Sequence, residues 1–159
     1  MKIIKKISDN LNRICEYVVL ILLFSMVVVV FLQVIFRFVL HNSLSWSEEF
    51  ARYIMIWLSF LGISIGVKKK AHIGVEIFAN LLKGKAKKAL LIFSYLFSFI
   101  FFSILIYYGY KILGITKMQV SPSMGISMAI PYSAIFFGSL ISIIHLIIIF
   151  WEDIRKREV

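Results

Sequence analysis

YVVLILLFSMVVVVFLQVIF, from Tyr17 to Phe36, is a stretch of 20 residues without one charge. At about 1.5 Å per residue such a helix is about 30 Å long, the thickness of the hydrocarbon layer of a bilayer. Working outward, three more runs have that length: Trp46 to Val67, whose charges fall only in its first two turns, and Ala89 to Tyr110 and Pro131 to Trp151, which carry none. Strands do not account for them, because the runs do not alternate and open sheet edges cannot be satisfied in lipid. The expected fold is all-α: one integral membrane domain over residues 1–159 with four transmembrane helices. Composition agrees, with 61% hydrophobic residues against 16% charged, far from the balance of a water-soluble domain.

The net charge of +10 lies between the apolar runs, so it speaks of membrane topology and not of nucleic acid. Lys and Arg number four before the first run, seven between the second and third, and three in the carboxy-terminal tail. The opposite connections hold only Arg37, Arg52, Lys111 and Lys117, which puts both termini in the cytoplasm. The first run is too long for a signal peptide and no small-residue cleavage site follows it, so it is expected to remain as an anchor. The lone Cys15 precludes an intrachain disulfide. Between the second and third spans, about residues 71–83, His72, Glu76, Asn80 and Lys83 form a polar stripe. Ile73, Ile77, Phe78, Leu81 and Leu82 fill the rest, the pattern of an amphipathic helix lying in the interface.

Ser45-Trp46-Ser47-Glu48 reads as a capping box opening the second span. Glu48 and Glu49 face the positive end of that helix, and Arg52 stands four residues after Glu48, at pairing distance. The cluster is either a self-paired helix start or a surface that receives a partner. Arg37, closing the first span, is expected to bind one of the two glutamates or a partner. Two packing seams of small residues are expected: Ser59, Gly62 and Gly66 in the second span, and Ala134, Gly138 and Ser142 in the fourth. The third span, crowded with Phe93, Phe97, Phe99, Phe101 and Phe102, suits lipid or an aromatic-packed partner. His145 reads as a hydrogen-bonded structural histidine, the alternative being haem ligation or proton relay. With no carboxylate deep in a span, no broken helix and no catalytic motif, the chain describes a scaffold. Neither enzyme activity nor a cofactor or metal is expected.

Gln33-Val34-Ile35-Phe36-Arg37-Phe38, Trp46-Ser47-Glu48-Glu49-Phe50-Ala51-Arg52, Trp57-Leu58-Ser59-Phe60-Leu61-Gly62 and His72-Ile73-Gly74-Val75-Glu76 together resemble the small permease (Q-type) subunit of tripartite ATP-independent periplasmic (TRAP) transporters. Ser121-Pro122-Ser123-Met124-Gly125-Ile126, then Pro131-Tyr132, Ala134 and Gly138, resemble the entry to that family's last helix, with Ser127 and Phe136 where prolines are expected and Glu76 where aspartate is commoner. The resemblance implies a non-catalytic subunit in the bacterial inner membrane. It would brace a large M-type subunit that carries substrate and sodium, and help receive a periplasmic substrate-binding protein delivering an organic acid such as a C4-dicarboxylate or sialic acid. It also implies the unfused form, with the large subunit a separate polypeptide. Two other classes remain beside it: a small autonomous four-helix exporter and a membrane redox subunit using His145.

Overall fold

The computed structural model describes residues 2–69 and 85–155. These form four helices: α1 (Lys2–Phe38), α2 (Ser45–Lys68), α3 (Lys85–Thr116) and α4 (Ala129–Arg155). Each is long and apolar enough to cross a membrane, and the chain is a multi-pass membrane protein. The amphipathic helix expected at 71–83, with His72, Glu76 and Phe78, lies outside the described residues.

α1 begins far ahead of the apolar run that announced it. Residues 2–16 contain neither proline nor glycine, so nothing breaks the helix, and packing holds its polar extension in place. Asp9 pairs with Lys68 at 2.8 Å and Glu16 with Lys69 at 2.7 Å, both across to the end of α2, while Lys5 reaches Glu152 of α4 at 3.3 Å. The 37 residues of α1 extend to about 55 Å. Its other end closes at His41, left-handed at φ 50°, with the Asn42 amide donating back to Phe36 O at 3.0 Å, which satisfies one of the helix's last carbonyls.

α4 packs most heavily against α3 and α2, and α2 in turn against α1. Val67, Phe102, Leu146 and Ile149 form the core, with Tyr95, Leu105 and Ile143 packed on it. The seam expected in α4 is present. Ala134 and Ser142 are fully buried, and a Cβ added to Gly138 would stand 2.6 Å from Phe60 Cβ. The seam expected in α2 is not formed within the chain. Ser59 is exposed and returns its hydroxyl to Met55 O, Gly62 has nothing within 4 Å of a built Cβ, and Gly66 is half-buried. The physical reason is rotational: α2 turns Ile54, Leu61, Ser64 and Val67 inward and inserts Phe60 where α4 offers glycine. On α3, Phe93, Phe97, Phe99 and Phe101 are exposed as expected, but Phe102 belongs to the core.

Candidate functional site

The first two turns of α2 carry four of the candidate residues, Trp46, Glu48, Glu49 and Arg52. The capping box does not form: α2 starts at Ser45 behind Leu44, which makes no side-chain cap bond, and the Ser47 hydroxyl returns to Leu44 O at 2.6 Å. The adjacent glutamates, about 100° apart around the helix, have opposite fates. Glu48 is exposed and accepts a 3.1 Å hydrogen bond from Gln33 Nε2 of α1. Glu49 is 3% exposed and turns toward the connection between α3 and α4. There one carboxylate oxygen accepts the amides of Ser123 at 3.0 Å and Met124 at 2.8 Å, and the other accepts the Tyr53 hydroxyl at 2.8 Å. That hydroxyl also lies 3.1 Å from Met128 Sδ.

The clamped connection is itself built to be tight. Ser121 N–H donates to Ile126 O at 2.8 Å, the Gly125 amide to Ser121 O at 3.1 Å, and the Met128 amide to Gln119 O at 2.9 Å. Gly125 holds φ +66°, a conformation that glycine adopts without strain. Trp57 extends the tie, its ring N–H donating to Ile130 O at the start of α4 at 3.3 Å. Trp46 meets Phe50 edge-on at 6.0 Å and stays partly exposed.

Arg37 and Arg52 do not behave as expected. Both are exposed, and neither joins an ion pair among the described residues. Arg37 lies 5.8 Å from the Phe38 ring centroid. The carboxylates it was expected to meet are occupied, Glu48 by Gln33 and Glu49 by three donors. An exposed guanidinium keeps its water, so it gains little by displacing them.

At the other end of the bundle, Lys68 Nζ donates to Ser8 Oγ at 2.8 Å as well as pairing with Asp9. Ser8 Oγ is 2.9 Å from His145 Nδ1. His145 is therefore a hydrogen-bonded histidine buried between helices, as its surroundings in sequence suggested. Tyr95 of α3 donates to Asp153 of α4 at 2.5 Å. Reading the sequence alone did not single out Tyr53, Ser8, Asp9 or Lys68 as partners. A signal was present in Ser8, Asn12 and Cys15, which share one helix face at spacings of four and three. The arrangement at both ends does one kind of work, in which buried polar groups tie helices and connections to one another.

The family described as "Tripartite ATP-independent periplasmic transporters, DctQ component" matches residues 26–156. A candidate TRAP transporter small permease protein of Haemophilus influenzae is 29% identical over 81% of this chain and 78% of its own length. The sialic acid TRAP transporter small permease protein SiaQ of Vibrio cholerae is 27% identical over 58% of this chain and 51% of its own. The sialic acid TRAP transporter permease protein SiaT of H. influenzae is 27% identical over 74% of this chain, which spans only 19% of that longer protein.

Proposed function

The chain belongs to the DctQ component family of tripartite ATP-independent periplasmic transporters, a family of transporter components and not of enzymes, and on that premise we propose how it acts. It is the small membrane subunit of a sodium-coupled secondary transporter for organic acids in the bacterial inner membrane, with both termini cytoplasmic. It braces the large subunit that moves the substrate and helps seat the periplasmic binding protein.

The observation that carries this reading is the use made of Glu49. A carboxylate near a membrane boundary is costly unless its oxygens are satisfied, and here two amides of the chain's own outer connection and the Tyr53 hydroxyl of α2 satisfy it. A group held in this way fixes a surface and is not free to bind a transported ion. On the proposed topology that surface faces the periplasm, beside Arg37, Trp46 and Arg52, where a binding protein would arrive. The open Ser59–Gly62 side of α2 supports the same reading, since small residues unpartnered within the chain suit the close approach of another subunit's helix. The sialic acid named for two relatives supports a carboxylate-bearing substrate.

The test is reconstitution. Sodium-driven uptake in liposomes is expected only when this chain, a large subunit and a binding protein are all present. Accumulation of substrate by liposomes holding this chain alone would overturn the proposal in favour of an autonomous exporter. Haem absorbance in the purified chain would favour a redox subunit. Reporter fusions at each terminus check the topology.

A further inference from the structure

His145 is fully buried, and the direction of each hydrogen bond leading to it follows from the groups that make it. Lys68 Nζ lies 2.8 Å from Ser8 Oγ and 2.8 Å from Asp9 Oδ1. An ammonium only donates, so the Ser8 oxygen accepts from Lys68 and still has its single proton to give. Ser8 Oγ is 2.9 Å from His145 Nδ1. Among the described residues these are the two hydrogen-bond contacts of the Ser8 hydroxyl, and Ser8 is itself fully buried.

Two tautomers of the neutral ring have to be compared. If Nδ1 carried the proton, it would donate to an oxygen that already accepts from Lys68, and the Ser8 proton would be left in the interior without an acceptor, which is costly. If Nδ1 instead carries a lone pair, Lys68 donates to Ser8 and Ser8 donates to His145, so that each bond polarises the next. A doubly protonated ring fails at Nδ1 in the same way as the first tautomer and adds a positive charge next to another. The charges that bear on the ring are Lys68 of α2 and Asp9 of α1, which are paired with each other. α3, the remaining helix packed on α4, brings the apolar Phe102 and Leu105 to the core around Leu146. Nε2 has no hydrogen-bond partner among the described residues whichever tautomer is present, so the choice is made at Nδ1.

We propose that Lys68 acts through Ser8 as a positioning residue for His145, holding the imidazole neutral with its proton on Nε2 and tying α2, α1 and α4 together by one directed series of hydrogen bonds. With Nδ1 engaged by Ser8 and Nε2 protonated, neither ring nitrogen has a free lone pair with which to ligate a metal. The ring is a joint between helices.

Solid-state NMR of the full chain, carrying isotope-labelled histidine and reconstituted in lipid at neutral pH, tests it. His145 is expected to show one protonated nitrogen, bonded to Cδ2, and one unprotonated nitrogen, bonded to Cγ, with His145→Gln separating its signals from those of His41 and His72. A proton on Nδ1, alone or together with one on Nε2, would overturn the proposal. Ser8→Ala is expected to move the Nδ1 resonance downfield, to that of a nitrogen accepting no hydrogen bond. Lys68→Met should move it part of the way by weakening the Ser8 donor, and Lys68→Arg, whose guanidinium donates to Ser8 and Asp9 alike, should restore it. An Nδ1 resonance indifferent to Ser8→Ala would refute the bond, and one indifferent to Lys68→Met would refute the part given to Lys68. The unmodified chain decides the tautomer by itself, so the proposal can fail even where a variant does not fold.

Discussion

Glu49 and Met124 stand 75 positions apart, yet the Met124 amide donates to the Glu49 carboxylate at 2.8 Å. This contact and its neighbour at Ser123 fasten the α3–α4 connection to the start of α2. Replacing Glu49 by Gln removes the charge and leaves one accepting oxygen, which can keep the Ser123 and Met124 amides only by turning the new NH2 group toward the Tyr53 hydroxyl. The thermal midpoint of Glu49→Gln is expected to fall by roughly 3 °C or more, with Glu48→Gln nearly unchanged because Glu48 is exposed. Equal effects of the two substitutions, measured in the same detergent, would refute the different roles given to them.

Arg37 is expected to act independently of both glutamates. In a double-mutant cycle on thermal stability, Arg37→Ala combined in turn with Glu48→Gln and Glu49→Gln should be additive within about 0.5 kcal/mol. Coupling beyond that would mean that the guanidinium pairs with one of them after all.

Gly138→Leu places a side chain where a Cβ alone would meet Phe60 Cβ at 2.6 Å and the Phe60 backbone at 3.0 Å. Forcing α2 and α4 apart is expected to cost about 1–3 kcal/mol. Gly62→Ala, with nothing within 4 Å, should leave the isolated chain's stability within about 0.5 kcal/mol of the original. Unfolding curves of the two variants decide this. If the Ser59–Gly62 side receives a second subunit, bulky residues at Gly62 should weaken co-purification and spare the chain itself.

Lys68 and Lys69 are adjacent, but their side chains are 16% and 61% exposed. Lys68→Ala removes donors from Ser8 and Asp9 in a largely enclosed setting and is expected to cost about 1–2 kcal/mol. Lys69→Ala breaks a wet pair with Glu16 and should change little. A larger effect at Lys69 in parallel melts would reverse the assignment.

The four helices could be read from the sequence because each apolar run has the length that lipid demands, a constraint that acts on every residue of the run at once. Which face of each helix turns inward was less legible. Glu48 and Glu49 are chemically alike, and only the position of the connection at residues 121–125 decides that Glu49 is enclosed. Phe102 differs from Phe101 only by one step around α3, and Leu146 and Ile149 supply the reason that it is buried. The partners of His145 lay 137 positions away in Ser8, ahead of the apolar run where a polar stretch gave no sign that α1 continued through it.

The attachment of α1 has a mechanical consequence. Its firm tie to α2 is at one end, where the largely enclosed Lys68 meets Asp9 and Ser8, whereas the Gln33–Glu48 bond toward the other end is exposed. Sliding along its neighbour by one helical turn, about 5.4 Å, would have to break that enclosed tie, while the exposed bond adds little resistance. A piston needs a track along which each step costs little. The Lys68 tie denies α1 such a track against α2, so within the chain the two helices keep one register.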